Sequence, residues 1–285
     1  MEVPGSCLLP AVEEIRHRLM KQLAKNLSAS VSGLLSYLGQ VVLLAGEVVS
    51  ALLVARVRWR LFLSQIVTIG IGSQLVVIIT GAFTGAVFAA QAYFKFSELG
   101  LGSATGAVVS IAMCRELGPV LAALMVAGRM GASMAAEIGT MRVTEQIDAL
   151  RAMGVAPLDY LVVPRILAIT VSMPILVGEA IFFGMLASEL LTVNLFGIPK
   201  VWFETQLIAH TGVPDVLTGL IKGSFFGGLI VLISCHQGLT TTEGAVGVGR
   251  ATTRAVVYSS LAILISNLFL SLLLNMLLPT VSINL

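Results

Sequence analysis

The fold class is decided by LFLSQIVTIGIGSQLVVIITGAFTGAVFAAQAYF, residues 61–94, a stretch without a single charged side chain. A helix needs about 20 apolar residues to cross a hydrocarbon core of about 30 Å with its backbone hydrogen bonds satisfied internally. Residues 61–94 are long enough for a tilted transmembrane helix. A membrane β-barrel would instead show short segments of alternating hydrophobicity. The stretch therefore predicts an α-helical membrane protein.

The rest of the sequence has the same character. Of its 285 residues, 57% are hydrophobic and 11% are charged, and the mean hydropathy is +0.98. This composition excludes a soluble domain. The formal net charge is only +2, and the basic residues cluster near the ends of apolar runs, so no nucleic-acid partner is expected. The three cysteines and three histidines are scattered, which predicts neither a disulfide framework nor a metal site.

The apolar runs predict an all-α polytopic membrane protein with five transmembrane helices. They cover residues 61–94, 99–128, 166–195, 216–235 and 255–285. The polar connection after the second run contains Arg129, Arg142, Arg151 and Arg165, and the positive-inside rule places it in the cytoplasm. The N-terminus is then cytoplasmic and the C-terminus is on the outer side of the membrane.

The first sixty residues differ from the remainder. Residues 12–27 place apolar side chains at four-residue spacing among charged ones, which predicts an amphipathic surface helix. Residues 31–55 form an apolar run that contains Glu47 and precedes RVRWR, residues 56–60. That run is either an elbow in the cytoplasmic leaflet or a true span, and in the second case the chain would have six transmembrane helices. We predict amphipathic and elbow helices in residues 1–60 and one membrane domain in residues 61–285.

A short cytoplasmic helix is predicted in MRVTEQIDALRAMGVAPLDY, residues 141–160. Its signals are Thr144 as N-cap, Glu145 near the positive helix end, an i,i+3 pair of Asp148 and Arg151, and Gly154 and Pro157 as stop residues. Ile147, Leu150 and Met153 are predicted to share one face of about three turns. Such a helix either couples the membrane domain to a partner's groove or is an ordinary interfacial loop helix.

Three of the charges within the apolar runs give the strongest signal: Arg115 and Glu116 in the second run and Lys222 in the fourth. Each costs about 2.5 to 3.5 kcal/mol near a bilayer centre. One interpretation is a structural ion pair between the second and fourth spans. The other is a lipid cavity, in which Arg115 and Lys222 bind phosphate and Glu116 orients the arginine.

Other ionisable residues give weaker signals. Arg250 and Arg254 lie one turn apart before the last span, where they either anchor it at the anionic leaflet or contact a lipid head group or a neighbouring subunit. Glu179 and Glu189 lie in the third span, where they form a proton relay or contact neighbouring helices.

A family resemblance rests on residues 115–165, RELGPVLAALMVAGRMGASMAAEIGTMRVTEQIDALRAMGVAPLDYLVVPR. This stretch resembles the signature region of MlaE-type permeases, the membrane subunits of ABC transporters that move phospholipids between the bacterial inner and outer membranes. LIKGSFF, residues 220–226, and RATTRAVVYSS, residues 250–260, resemble two further stretches of the family. The resemblance runs from about residue 61 to the C-terminus.

The resemblance implies a multi-subunit transporter in the bacterial inner membrane, with the C-terminus periplasmic. Two copies of this chain would form its core, with two ATPase subunits docked around residues 145–153, a periplasmic MCE-domain lipid carrier and, in some systems, a STAS-domain protein. It also implies that Arg115, Glu116 and Lys222 line the central cavity. The chain has no G-x-x-x-x-G-K-[ST] loop, so ATP and Mg are expected on the ATPase, and no catalytic residue or cofactor is expected here.

Phospholipid transport is thus the leading hypothesis, and three others remain open. A permease of the same architecture would carry another hydrophobic substrate, such as a sterol, a solvent or a lipid precursor. An ion-coupled carrier would use Glu179, Glu189 and Lys222. A scaffold would tether partners without transporting anything.

Overall fold

The computed structural model describes residues 21, 32–33, 35–52 and 59–277. No strand occurs among these residues, and the prediction of an all-α polytopic membrane protein is confirmed. Eight helices are named here: α1 Leu35–Leu52, α2 Trp59–Glu98, α3 Thr105–Val143, α4 Gln146–Ala152, α5 Leu158–Asn194, α6 Lys200–His210, α7 Val213–Leu239 and α8 Gly244–Leu277. All except α4 and α6 are long and apolar enough to cross a membrane.

The N-terminal region is described only in part. The amphipathic helix predicted in residues 12–27 lies outside the described residues, apart from Lys21. By length and composition α1 qualifies as a sixth span, which is the alternative to the elbow that the sequence leaves open. The chain divides into two compact units, residues 1–47 and 48–285. The division at residue 60 stays a prediction.

The second span is longer than predicted. The sequence indicated that a polar connection begins at Arg129, but α3 continues to Val143. Residues 132–143 are mostly helix-forming alanine, methionine, glutamate and arginine. Met134, Ala135 and Ile138 are also buried there, because this part of α3 packs against α7 and α8. The 39 residues of α3 reach about 58 Å, so α3 carries α4 well beyond the hydrocarbon core.

Small residues set the close approach of the long helices. A side chain on Gly81 of α2 would place its Cβ 2.7 Å from the Ala180 carbonyl oxygen of α5. A Cβ on Gly223 or Gly227 of α7 would likewise lie 2.7 Å from the side chain of Val177 or Met173 of α5. These glycines therefore serve helix contacts within the chain, where only a missing Cβ lets the helices approach so closely.

Candidate functional site

Arg115 and Glu116 lie in a single π-helical turn of α3, Met113–Leu117. A π turn inserts one extra residue into an α-helix and changes the directions of the neighbouring side chains, and such turns are frequent at functional sites. Arg115 is buried, whereas the Glu116 side chain remains 43% exposed. The two adjacent charges bind different partners.

The partner of Arg115 is a residue that the sequence did not single out. Its Nε donates a hydrogen bond of 2.5 Å to Asp215 Oδ1 in the first turn of α7, and its Nη1 donates to Asn275 Oδ1 of α8. Asp215 Oδ2 accepts the Gly212 backbone N–H at 2.7 Å. Glu116 was expected to orient Arg115, but the carboxylate bonded to its Nε is Asp215. The expectation was wrong because α7 begins at Val213, which brings Asp215 into the bundle.

Lys222 is fully buried in α7 and uses all three of its ammonium hydrogens. Its Nζ donates to the Arg115 carbonyl oxygen at 2.7 Å, to Glu116 Oε1 at 2.8 Å and to Ser271 Oγ at 2.7 Å. Glu116 also accepts hydrogen bonds from Asn267 Nδ2 at 2.9 Å and from Ser271 Oγ at 2.8 Å. The structure thus contains the predicted ion pair between the second and fourth spans.

These side chains form one network, here called the Lys222 cluster: Arg115, Glu116, Asp215, Lys222, Asn267, Ser271 and Asn275. It joins α3, α7 and α8 and contains two cations and two anions, so its formal charge is zero. Sequence reasoning missed Asp215 and the three α8 residues. The α8 residues had a signal, since 267, 271 and 275 are polar positions at four-residue spacing in an apolar run, which places them on one helix face.

The Lys222 cluster lies in the half of the membrane domain next to α6. Arg115 is ten residues after Thr105, and Lys222 is nine residues after Val213, so both lie about 15 Å from the ends of their helices. An apolar groove of about 390 Å³ runs along α2 and is lined by Phe83, Val87, Phe88 and Leu117, among others. Leu117 belongs to the same π turn as Glu116. The site therefore combines a buried polar network, one accessible carboxylate and an adjoining apolar surface.

The predicted coupling helix exists as α4, with a different start and length. It spans Gln146–Ala152, which is two turns rather than three. Thr144 is not its N-cap: the Thr144 hydroxyl donates to the Thr140 carbonyl oxygen of α3 at 2.8 Å, because α3 extends to this point. Glu145 occupies the N-cap position with a left-handed φ of 61°. Gly154, with φ 74°, follows the helix end as predicted.

The surface of α4 is divided between the membrane domain and solvent. The predicted pair is present, with Arg151 Nη1 at 3.0 Å from Asp148 Oδ1, and Arg142 of α3 also reaches Asp148 at 3.0 Å. Ile147 is fully buried, whereas Met153, after the helix end, is 69% exposed. The prediction of one shared apolar face was therefore wrong, because Ile147 is buried whereas Met153 lies beyond the helix end and is exposed. Glu145 and Asp148 are exposed, and Leu150 is half-buried.

Comparison with known sequences identifies the family. The family model described as Permease MlaE matches residues 62–273, which include the Lys222 cluster residues up to Ser271 and all of α4. The chain belongs to the MlaE permease family.

Relatives at high identity agree with this assignment. A probable ABC transporter permease protein of Synechocystis is 45% identical over 228 residues, 80% of this chain and 87% of the relative. One from Rickettsia felis is 44% identical over 229 residues, 80% and 88% of the two chains. The chloroplastic protein TRIGALACTOSYLDIACYLGLYCEROL 1 of Arabidopsis thaliana is 41% identical over 234 residues, which cover 81% of this chain and 66% of the relative. This chain is a multi-pass ABC transporter permease of the MlaE family.

In this MlaE permease, Arg250 and Arg254 are not part of the Lys222 cluster. Ser271 follows Arg254 by 17 residues of α8, which is about 26 Å. Both arginines line a separate polar pocket of about 110 Å³ between α7 and α8, and Arg250 Nη1 pairs with Glu243 Oε2 at 2.7 Å. Arg115, Glu116 and Lys222 therefore lie together, and Arg250 and Arg254 lie at a different place.

Glu179 and Glu189 of the permease each have their own partner. Glu179 Oε1 accepts a hydrogen bond of 3.1 Å from Gln74 Nε2 of α2. Glu189 Oε1 lies 3.0 Å from Lys200 Nζ of α6. The hydrogen bonds to Glu189 and Glu204 raise the pKa of Lys200. Both glutamates contact neighbouring helices, which is the simpler of their two interpretations.

Proposed function

We propose that this permease moves phospholipid across or out of a bacterial inner membrane, as the homodimeric transmembrane core of an ABC transporter. It passes the lipid between the membrane and a periplasmic MCE-type carrier, and ATP is hydrolysed on a separate ATPase. The observation that carries the proposal is the Lys222 cluster, a charge-balanced network beside an apolar groove.

The chemistry of the Lys222 cluster suits an amphiphile. The groove along α2 offers apolar walls for an acyl chain. Arg115 and Lys222 supply two cations, and a lipid phosphate competes for them with Asp215 and Glu116, which bind them in this structure. The Arabidopsis relative is named after a glycerolipid, which supports a glycerolipid as the class of substrate.

The outer surface of α4 suits a coupling role. Ile147 fixes α4 to the membrane domain, and Glu145, Asp148 and Met153 remain exposed for a partner. We propose that two ATPase subunits, which hold ATP and Mg, dock on this surface, and that a STAS-domain protein joins them in some assemblies. Arg142 precedes α4 and Arg151 lies in its last turn. Both favour the cytoplasmic side for α4, which puts the end of α8 on the periplasmic side.

Reconstitution tests the proposal. The permease is co-purified with its ATPase and MCE protein and placed in vesicles that contain a fluorescent phospholipid. We expect ATP-dependent transfer of the phospholipid to the MCE protein, and loss of this transfer in Lys222→Met. Gly178→Ala is a matched control, because Gly178 has open space around it.

Three outcomes would contradict the proposal. Recovery of only sterol or another lipid without phosphate from the purified complex would reject the phospholipid. Transport by this chain alone with an ion gradient would favour the ion-coupled carrier. Unchanged transfer in a correctly assembled Lys222→Met complex would favour a scaffold.

A further inference from the structure

A second buried charge site lies at the opposite end of the membrane domain from the Lys222 cluster. A cavity of about 240 Å³ is enclosed by the start of α2, the end of α3 and the start of α5. Arg165 lines it, and its side chain is only 4% exposed. Arg165 Nη2 lies 2.7 Å from Glu137 Oε1, and Nη1 donates to the Leu161 carbonyl oxygen at 2.6 Å. The guanidinium is therefore held in place from two sides.

One donor of this guanidinium is unused. The Nε of Arg165 is buried and has no hydrogen-bond partner among the residues that the structure describes. Buried donors of charged groups are normally satisfied, and an exception calls for an explanation such as a ligand. Because the guanidinium borders a cavity, a bound acceptor is the simplest explanation.

The depth of the cavity matches a lipid head group. Arg165 precedes Asn194, the end of α5, by 29 residues, which is about 44 Å along the helix. A bilayer with its head-group layers is about 40 to 45 Å thick. With Asn194 at one interface, Arg165 lies in the head-group layer of the other. Trp59 and Tyr160 border the same region, as aromatic side chains commonly do at a membrane interface.

An apolar compartment continues from the polar one. A shallow groove of about 440 Å³ is lined by Trp59, Arg60, Leu61 and Tyr160. Leu61 and Tyr160 also line the Arg165 cavity, so the groove and the cavity adjoin each other at these two residues. Together they offer a charged compartment and an apolar surface to one molecule.

We infer that the cavity and groove bind one phospholipid of the leaflet on the α4 side. Its phosphate accepts hydrogen bonds from Arg165 and Arg60, and an acyl chain lies along Leu61 and Trp59. The site has two positive charges, on Arg60 and Arg165, and one negative charge, on Glu137. The remaining positive charge is balanced by the single negative charge of a phosphodiester. Arginine is well suited to this contact because its planar donors match phosphate oxygens. The site is separate from the Lys222 cluster and does not depend on the proposed transport.

Photo-crosslinking of the full-length permease alone, in detergent and without ATPase, tests the inference. The probes are a photoreactive phosphatidylglycerol and a photoreactive diacylglycerol with the same chains, and the labelled peptides are located by mass spectrometry. We expect the phosphatidylglycerol probe to label residues 59–65 and 160–165. Arg60→Ala should lower this labelling about three- to fivefold. The effect is modest because Arg60 is exposed, and an ion pair between an exposed arginine and the lipid phosphate is weak. Leu61→Trp should abolish it by filling the groove.

The matched control is Lys95→Ala. It removes an exposed lysine, paired with Glu98 at the other end of α2, and should leave the labelling unchanged. Equal labelling by the diacylglycerol probe would overturn the inference, because it would show that the phosphate is not recognised. Displacement by excess inorganic phosphate would also overturn it in favour of a free-anion site. Unchanged labelling in both Arg60→Ala and Leu61→Trp would place the lipid elsewhere.

Discussion

At the scale of single residues, Lys222 shows why a buried charge is tolerated in a span. Each of its three ammonium hydrogens has an acceptor, and one acceptor is a carboxylate. An ammonium without these partners would be strongly disfavoured in the membrane. The same saturation makes the position intolerant of change, because substitution by a neutral residue leaves Glu116 and Ser271 without their cation.

Lys222→Met is the first prediction. It removes the cation and leaves a partly buried carboxylate, so we expect a loss of stability of about 3 kcal/mol. Adding Glu116→Gln should recover part of this loss, since the orphaned charge is then removed as well. Denaturant titration in mixed micelles measures the free energy of unfolding of the single and the double variants. A double variant that is less stable than the sum of the single variants would contradict the ion pair.

The pair of Arg115 and Asp215 gives a second prediction. Asp215→Asn leaves the Arg115 guanidinium with an uncompensated buried charge, so we expect lower expression and a lower melting temperature. Arg115→Gln in the same chain should restore folding. Phospholipid transfer should remain lost in the double variant, because the cation is absent. Recovery of both folding and transfer would assign Arg115 a purely structural role.

At the scale of elements, α4 has an anchoring side and a free side. Ile147→Ala removes a fully buried side chain, and we expect it to cost about 2 to 4 kcal/mol. Met153→Ala changes an exposed side chain and should leave stability within about 0.5 kcal/mol, while weakening ATPase binding. Thermal unfolding and co-purification of the ATPase separate the two effects. Full ATPase binding by Met153→Ala would remove this residue from the coupling surface.

The contact between α2 and α5 gives the fourth prediction. Gly81→Ala introduces a Cβ at 2.7 Å from the Ala180 carbonyl oxygen, a backbone atom that cannot rotate away. We expect a loss of about 1 to 3 kcal/mol from overpacking. The control is Gly178→Ala in α5, which meets no atom within 4 Å and should be neutral or slightly stabilising. Equal effects of the two substitutions would rule out the close approach of the helices.

At the scale of the whole molecule, α8 leaves much apolar surface uncovered. Its buried residues are Leu274 and a narrow stripe at four-residue spacing: Gly247, Ala251, Ala255, Ser259 and Ile263. Leucines on its other faces, such as Leu264, Leu268 and Leu272, are more than half exposed. In a membrane protein this surface meets lipid or another subunit.

The fifth prediction concerns assembly. We expect native mass spectrometry of the purified chain to give twice the monomer mass of 29.9 kDa, as proposed for the transporter core. A strictly monomeric chain under conditions that keep the ATPase bound would contradict the homodimer.

Long-range pairings account for what sequence reasoning missed. The apolar runs predicted the spans well, because crossing a bilayer constrains every residue of a helix in the same way. The end of α3 was misplaced, since residues 132–143 are held helical by α7 and α8 rather than by their own hydropathy. Thr144 was misassigned for the same reason. Asp215 was missed because its role depends on Arg115, one hundred positions away.

The sequence by itself determined the fold class, most of the spans, the presence of α4 and the family. These depend on local composition and on patterns along the chain, because the insertion of a helix into the bilayer depends on the hydropathy of its own residues. Only the tertiary structure decided that Arg115 pairs with Asp215 and Lys222 with Glu116, and that Arg250 and Arg254 lie elsewhere. The partners of buried charges depend on which helix faces meet, and the one extra residue that a π turn inserts is enough to change those faces.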